Sequence, residues 1–332
     1  MSGIRLVSTI AAFLVVAGPV RAEMTELKVA QQYGIGYLPL MVMEDQKLIE
    51  KHAKAAGVDV AVSWPRFAGG NVMNDALLSN SLQFASGGVG PFVTLWARTR
   101  GNLDVKAVAA INSMPLYLNT RNPNVKTVKD FTERDRIALP AVKVSIQAIT
   151  LQMAAEKAFG EGQQNKLDPL TVSLSHPDAQ TALLSGQSEI TAHFGSPPFQ
   201  YQQLRSPAIH TVVNSYEVLG GPATFNLVWT TSKFRNENPK LYDAFVKALD
   251  EAVAMINRDK RWAAEAYLRI SKDKDSVDDI LAMLNDPAIV ITTTPQNVMK
   301  YVDFMAKTGA IKTRPDSWRE MFFPNAQGLP GS

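Results

Sequence analysis

Apolar and polar positions along the chain alternate between two periods. Leu27-Lys28-Val29-Ala30-Gln31 has the period of two of a strand. Pro39 then opens an apolar stretch that predicts one helix to Ala56, stopped by Gly57. Val58 to Trp64 alternates as a second strand, and Gly69-Gly70-Asn71 turns into a helix through Leu78, with Asn71 as its N-cap. Leu82 to Ala85 predicts a third strand that runs into Gly87-Gly88-Val89-Gly90-Pro91. A helix follows to Arg100, ended by Gly101, and Val105 to Ile111 predicts a fourth strand. Strands alternating with helices of this length predict a parallel sheet with crossover helices.

The pattern then starts again. Arg136 to Pro140, Leu170 to Leu174 and Glu189 to His193 predict strands, and Ser145 to Phe159 and Asp178 to Leu184 predict helices. Ile209 to Val213 and Phe225 to Thr230 close the strand series. Beyond them Pro239 to Ile256 and Trp262 to Ile270 carry a clear helical apolar period. A short unit also recurs. Ala76-Leu77-Leu78-Ser79 leads into a strand that ends at Gly90-Pro91-Phe92, and Ala182-Leu183-Leu184-Ser185 leads into one that ends at Pro197-Pro198-Phe199. The separation is too long for a solenoid, whose period is about 20–50 residues, and fits two α/β lobes built on one plan.

The first 22 residues are predicted to be an export signal. Arg5 precedes an apolar run from Leu6 to Ala17, and Val20-Arg21-Ala22 fits cleavage after Ala22. The run is shorter than the roughly 20 residues of a spanning helix. The whole chain of 332 residues carries a formal charge of +3, and loss of Arg5 and Arg21 brings it to +1. That balance, without a Lys/Arg run, predicts no nucleic-acid partner. The absence of cysteine excludes disulfides, Cys-ligated metals and a Cys nucleophile.

Gly34-Ile35-Gly36-Tyr37-Leu38-Pro39 follows a strand and opens a helix, but Pro39 stands where a dinucleotide fingerprint has its third glycine. No acidic residue ends the next strand. No P-loop, Gly-x-Ser-x-Gly or His-Glu-x-x-His occurs, and His52, His176, His193 and His210 show no metal-ligand spacing. What remains is a set of strand-to-helix loops rich in Gly, Ser, Asn and Gln: Gln32-Tyr33-Gly34, Gly69-Gly70-Asn71, Gly87-Gly88-Val89, Val144-Ser145-Ile146-Gln147 and His193-Phe194-Gly195. In open α/β sheets such loops lie beyond the strand ends, where helix N-termini bind ligands.

The export signal, Leu-Lys-Val-Ala-Gln-Gln-Tyr-Gly, Ser-Trp-x-x-Phe-Ala-Gly-Gly (63–70) and Phe-Ala-Ser-Gly-Gly-Val-Gly-Pro (84–91) together resemble the ABC-transporter solute-binding proteins for nitrate, sulfonates and taurine. That family includes binders of thiamine-pyrimidine precursors. The resemblance covers most of the chain after residue 22 and is strongest from Leu27 to Asn112. It implies an α/β type II periplasmic binding fold: residues 23–112 with 217–332 as one lobe and 113–216 as the other, closing on a ligand. It also implies a periplasmic monomer without cofactor or metal that delivers a small anion to an inner-membrane ABC permease, and no catalysis. By position it implies ligand contacts at Tyr33, Gly70, Asn71, Gly88, Val89, Ser113, Met114, Ser145, Gln147 and His193, to which the loops add Gln32 and Phe194. Val142-Lys143-Val144-Ser145 departs from the Gly-Ser or Gly-Thr turn usual there. An aromatic or pyrimidine ligand, an enzyme on the same fold, and a scaffold with a vestigial cleft are the competing readings.

Overall fold

In the computed structural model, which describes residues 22–332, Leu27 is buried between exposed Glu26 and Lys28. This alternation sets β1 (Glu26–Lys28) parallel to β2 (Ala61–Ser63), with Leu27 opposite Val62. A bridge from Val29 to Phe84 carries β1 onto β3 (Ala85–Gly88), so the first sheet reads β2-β1-β3-β10-β4, with β4 Val105–Ala110 and β10 Asn226–Thr231. The second sheet is β7-β6-β8-β5-β9: β5 is Tyr117–Thr120, β6 Ile137–Leu139, β7 Thr171–Ser173, β8 Ala192–Phe194 and β9 His210–Asn214. The predicted export segment lies, except for Ala22, outside the described residues.

Both sheets are mixed rather than wholly parallel as predicted. β10 runs antiparallel to β3 and β4, and β5 antiparallel to β8 and β9. A parallel neighbour needs a long crossover, usually helical. β5 enters the second sheet from β4 through the short segment 111–116, and β10 returns to the first from β9 across a single-turn helix, Ser215–Leu219. At the junction Ser113 exchanges backbone hydrogen bonds with Val290 (2.8 and 2.9 Å), and its hydroxyl donates to the Ala223 carbonyl at 2.6 Å. Three chain segments are thereby tied side by side between the sheets.

The helix predicted from Pro39 to Ala56 is two, Leu38–Asp45 and Leu48–Ala55, separated where Lys47 takes φ 50°. Leu38 to Met43 are buried on all sides, whereas the second helix buries only Leu48, Ile49 and Ala53. The break turns the chain from the core to the surface. The long helix Pro239–Arg258 packs on Leu48–Ala55, and Phe245 on it stacks on Phe84 with centroids 3.8 Å apart. Each fully buried side chain of this size contributes about 1.5–3 kcal/mol, so this helix is part of the core that backs the first sheet. Glu23 completes it. Its carboxylate accepts from the backbone N–H of Lys240 and Leu241 (2.9 and 2.8 Å), the cap that this helix lacks from its own residues. Among the described residues no helix is long and apolar enough to cross a membrane.

Candidate functional site

Four helices begin at one place between the two sheets. Gly70–Leu78 and Val89–Thr99 follow strands of the first sheet, Ile146–Phe159 and His176–Ser185 strands of the second. Each follows a strand end, so the parallel parts of both sheets aim their helix N-termini at the same small cavity. Its lining includes Gly70, Gly88, Ser145, Ile146, Gln147 and His176 from these termini, with Gln32, Tyr37, Pro91, Pro140 and Phe225 between them. No lysine, arginine or acidic residue is among them. The first two helices have no side-chain cap, and Ser145 caps the third by accepting from Ala148 N–H at 3.2 Å. Unpaired N–H groups and partial positive charge therefore converge without a full charge.

The cavity measures about 10 Å³, room for a single water. Glycines allow this closeness. A Cβ on Gly88 would stand 2.5 Å from Cγ2 of Ile146, and one on Gly90 2.8 Å from the Val144 carbonyl oxygen. On another side Ile35 N–H donates across to the Pro197 carbonyl at 3.1 Å. A larger hollow of about 410 Å³ beside Phe199 and Lys274 meets only Pro177 among these helix starts, and one of about 290 Å³ beside Met24 and Phe234 meets none.

Polar groups around the cavity form an ordered set. Gln32 Nε2 donates to the Ser86 carbonyl at 3.3 Å. Tyr37 Oη lies 3.3 Å from Asn226 Oδ1, while Asn226 Nδ2, fully buried, has no partner among the described residues. Behind Gln147 the rings of His176 and His193 meet at 2.9 Å (Nδ1 to Nε2), and His193 Nδ1 meets Gln203 Nε2 at 2.6 Å. Burial pushes the His176 pKa down to about 4, and burial with the neighbouring ring pushes His193 well below the ordinary value. Both are neutral at pH 7. Burial raises the Tyr37 hydroxyl above its usual range, so it stays protonated. Among the described residues no three metal-ligating side chains cluster.

Of the residues singled out in the sequence, Gln32, Gly70, Gly88, Ser145 and Gln147 line the cavity. His193 stands one ring behind it. Val89, Met114 and Phe194 are buried in the apolar core, and Ser113 belongs to the junction. Tyr33 is half-buried and outside the lining. Asn71 is not the N-cap predicted for it. Gly69 holds that position, and Asn71 is exposed in the first turn. The departure at Val142-Lys143-Val144-Ser145 is accommodated by Lys143 at φ 64°, the left-handed conformation glycine favours. Ile146 belongs to a loop named from the sequence, whereas Tyr37, Pro91, Pro140, His176 and Phe225 are lining residues that the sequence reading does not single out as contacts. For His176 a signal existed. It lies six positions before Ala182, as Gly70 lies six before Ala76, so the repeated unit places the two at equivalent helix starts.

A sequence model described as the NMT1-like family matches residues 21–271. No curated protein matches the sequence at a significant level. Among solved structures, the alkanesulfonate-binding protein SsuA from Xanthomonas axonopodis pv. citri, bound to MOPS, is similar at a TM-score of 0.69 and 18% identity, covering 88% of this chain and 96% of that one. The periplasmic aliphatic sulphonate binding protein SsuA from Escherichia coli gives 0.64 and 17%, covering 93% and 95%. The periplasmic nitrate-binding protein NrtA from Synechocystis PCC 6803 gives 0.59 and 14%, covering 79% and 70%. The fold is that of periplasmic binding proteins, and these neighbours are solute-binding proteins rather than enzymes.

Proposed function

Because the chain belongs to the NMT1-like family, we propose that it is the periplasmic solute-binding component of an ABC importer, which captures a small oxyanion of the sulfonate, taurine or nitrate type and hands it to the permease. The observation that carries this reading is the convergence of four helix N-termini, two from each sheet, on one uncharged cavity. Each helix end contributes about 0.3–1 kcal/mol toward an anion, and each hydrogen bond to a charged ligand about 1.5–3. Several together suffice for micromolar binding without an arginine.

In this reading the lobe of residues 23–112 and 217–332 and the lobe of 113–216 move about the segments near 112–115 and 213–216. A cavity of about 10 Å³ admits no organic anion, so the lobes part before the ligand enters. The protein works by binding and release, with no bond made or broken. Export would remove residues 1–22, which makes Glu23, the cap of Pro239–Arg258, the first residue of the mature chain.

Thermal melting of the mature protein with nitrate, ethanesulfonate, taurine and MOPS tests the proposal. A ligand at about 100 times its Kd stabilises the protein by about 2.7 kcal/mol, or about 4 °C at this chain length. No shift with any oxyanion refutes it. Tyr37 and Phe225 in the lining favour a planar pyrimidine or aromatic ligand as the second reading, which a shift with those compounds alone would establish.

A further inference from the structure

A chain of hydrogen bonds runs from the second sheet to the interlobe cavity, and a backbone carbonyl sets its direction at the far end. Asn119 on β5 places Nδ2 3.0 Å from the carbonyl oxygen of Gln200. A carbonyl only accepts, so Nδ2 donates there, and Asn119 Oδ1 takes the Thr211 hydroxyl at 2.8 Å. The second hydrogen of Nδ2 goes to Gln203 Oε1 at 3.1 Å. Gln203 therefore turns its NH2 toward His193, where Nε2 stands 2.6 Å from Nδ1. His193 Nδ1 must accept, and a neutral imidazole then carries its hydrogen on Nε2. That nitrogen donates to His176 Nδ1 at 2.9 Å. By the same step the His176 hydrogen sits on Nε2, which faces the end of Gln147 at 3.4 Å. Running the chain backwards would turn the Asn119 amide oxygen against the Gln200 carbonyl.

Only an acceptor on Gln147 completes this series. With its nitrogen toward His176, two N–H groups oppose each other. With its oxygen there the conflict disappears, since amide oxygen and nitrogen exchange without change of shape. The NH2 then takes the other terminal position, which no described residue bonds, on a side chain that lines the cavity and is 2% exposed. We propose that the relay Asn119–Gln203–His193–His176 holds Gln147 with its carbonyl on His176 and its NH2 in the interlobe cavity, so that Gln147 selects ligands with an acceptor oxygen at that point. Gln203, His193 and His176 are positioning residues, and Gln147 is the group that touches the ligand. The selection rests on the reading of the cavity as a ligand site; the direction of the relay does not.

Long-range 15N spectra of the imidazole rings in the ligand-free mature protein near pH 7 test the relay directly, with His52→Gln and His210→Gln as assignment controls. Both buried rings should show an unprotonated Nδ1 and a protonated Nε2. A protonated Nδ1 on either ring overturns the proposal. Gln203→Met removes the donor that fixes His193 and should let both tautomers appear, a change that a merely space-filling Gln203 would not produce; an unaltered tautomer in that variant also overturns it. The selection is read by calorimetric titration of nitrate and ethanesulfonate. Gln147→Met should weaken binding about tenfold, and Gln147→Glu, which puts a carboxylate oxygen where the NH2 stood, about a hundredfold or more. Equal binding by Gln147→Glu and wild type overturns the assignment of the NH2. If the wild type binds neither ion, the oxyanion function fails, and the spectra still decide the relay.

Discussion

Acid should destabilise this protein through its buried histidine pair before its lowered carboxyls add to the loss. His176 is fully buried and its pKa falls to about 4 in the folded state, against 6.5 for the free side chain. The unfolded chain therefore binds more protons between these values, and stability rises with pH across that window. The contribution is fully present above about pH 6.5 and is lost as pH falls through about 4. At about 1.36 kcal/mol per pKa unit, this ring alone costs about 2 kcal/mol between pH 7 and 5, and about 3 by pH 4. His193 is shifted in the same direction and adds to the loss. The lowered carboxyls of Asp45, Asp130, Asp135, Asp279, Glu251 and Glu320 act only as pH falls below their ordinary values of 3.8 and 4.5. Asp168 and Asp250, whose carboxyls burial raises, take up protons above 3.8 in the folded state and so offset part of the histidine loss instead. Urea unfolding at pH 7, 6 and 5 measures the slope. His176→Gln, which keeps a hydrogen-bonding side chain but does not titrate, should be flatter by about 2 kcal/mol over that range. Equal slopes for variant and wild type, or a His176 ring that titrates near 6.5 by NMR, would refute the reasoning.

Gly88→Ala would set a Cβ 2.5 Å from Ile146 Cγ2 and 2.7 Å from its Cβ, an overpacking of about 1–3 kcal/mol. The lobes should separate, seen as a larger radius of gyration in X-ray scattering with unchanged circular dichroism; an unchanged radius counts against closure through this contact. Glu23→Ala removes the cap from Lys240 and Leu241 N–H and should cost about 0.5–2 kcal/mol in urea unfolding, whereas Glu23→Asp should recover part of it. Asn74→Ala leaves the Trp229 indole N–H without its acceptor and takes a second donor from the Pro91 carbonyl, which keeps its helical bond, at about 1–3 kcal/mol for the buried indole; a loss under about 1 kcal/mol would show that water replaces the amide.

What could be seen in the sequence was what neighbouring residues decide among themselves. The helix from Ser145 to Phe159 and the return strand near Phe225 to Thr230 each follow from local period and residue type, and the structure has them. Tyr117–Thr120 was missed because a buried strand carrying Asn119 and Thr120 reads as a loop. Its polar groups are satisfied by Thr211, Gln200, Gln203 and Thr191, all distant in the chain. Asn71 shows a different failure. The residue type suits a cap, but the helix begins earlier, at Gly69, where a Cβ would crowd the Asn71 Oδ1 at 2.8 Å and the Pro140 carbonyl at 3.3 Å. The packing of the opposite lobe decided the frame, and no local rule contains that information. His176 was hidden in another way. Its spacing to the other histidines is irregular, and only its place in the repeated unit, equivalent to that of Gly70, marks it.

The absence of charge in the lining explains why the site closes on itself. A buried arginine facing an empty cavity costs several kcal/mol, because nothing compensates its desolvation. Helix ends and neutral amides carry no such cost, so the lobes meet with Ile146 on Gly88 and Val144 on Gly90. In the proposed function the closed empty form competes with ligand, since an oxyanion would enter only after these contacts part. Apparent affinity falls by the fraction of molecules held closed. A substitution that opens the empty protein without touching Gln147 or Ser145 should therefore speed association. Gly90→Ala is such a substitution, because its Cβ would stand 2.8 Å from the Val144 carbonyl that faces it. Its association rate for nitrate or ethanesulfonate, measured by stopped flow, should exceed that of wild type. A slower rate would mean that the contacts between the lobes guide the ligand in rather than keep it out.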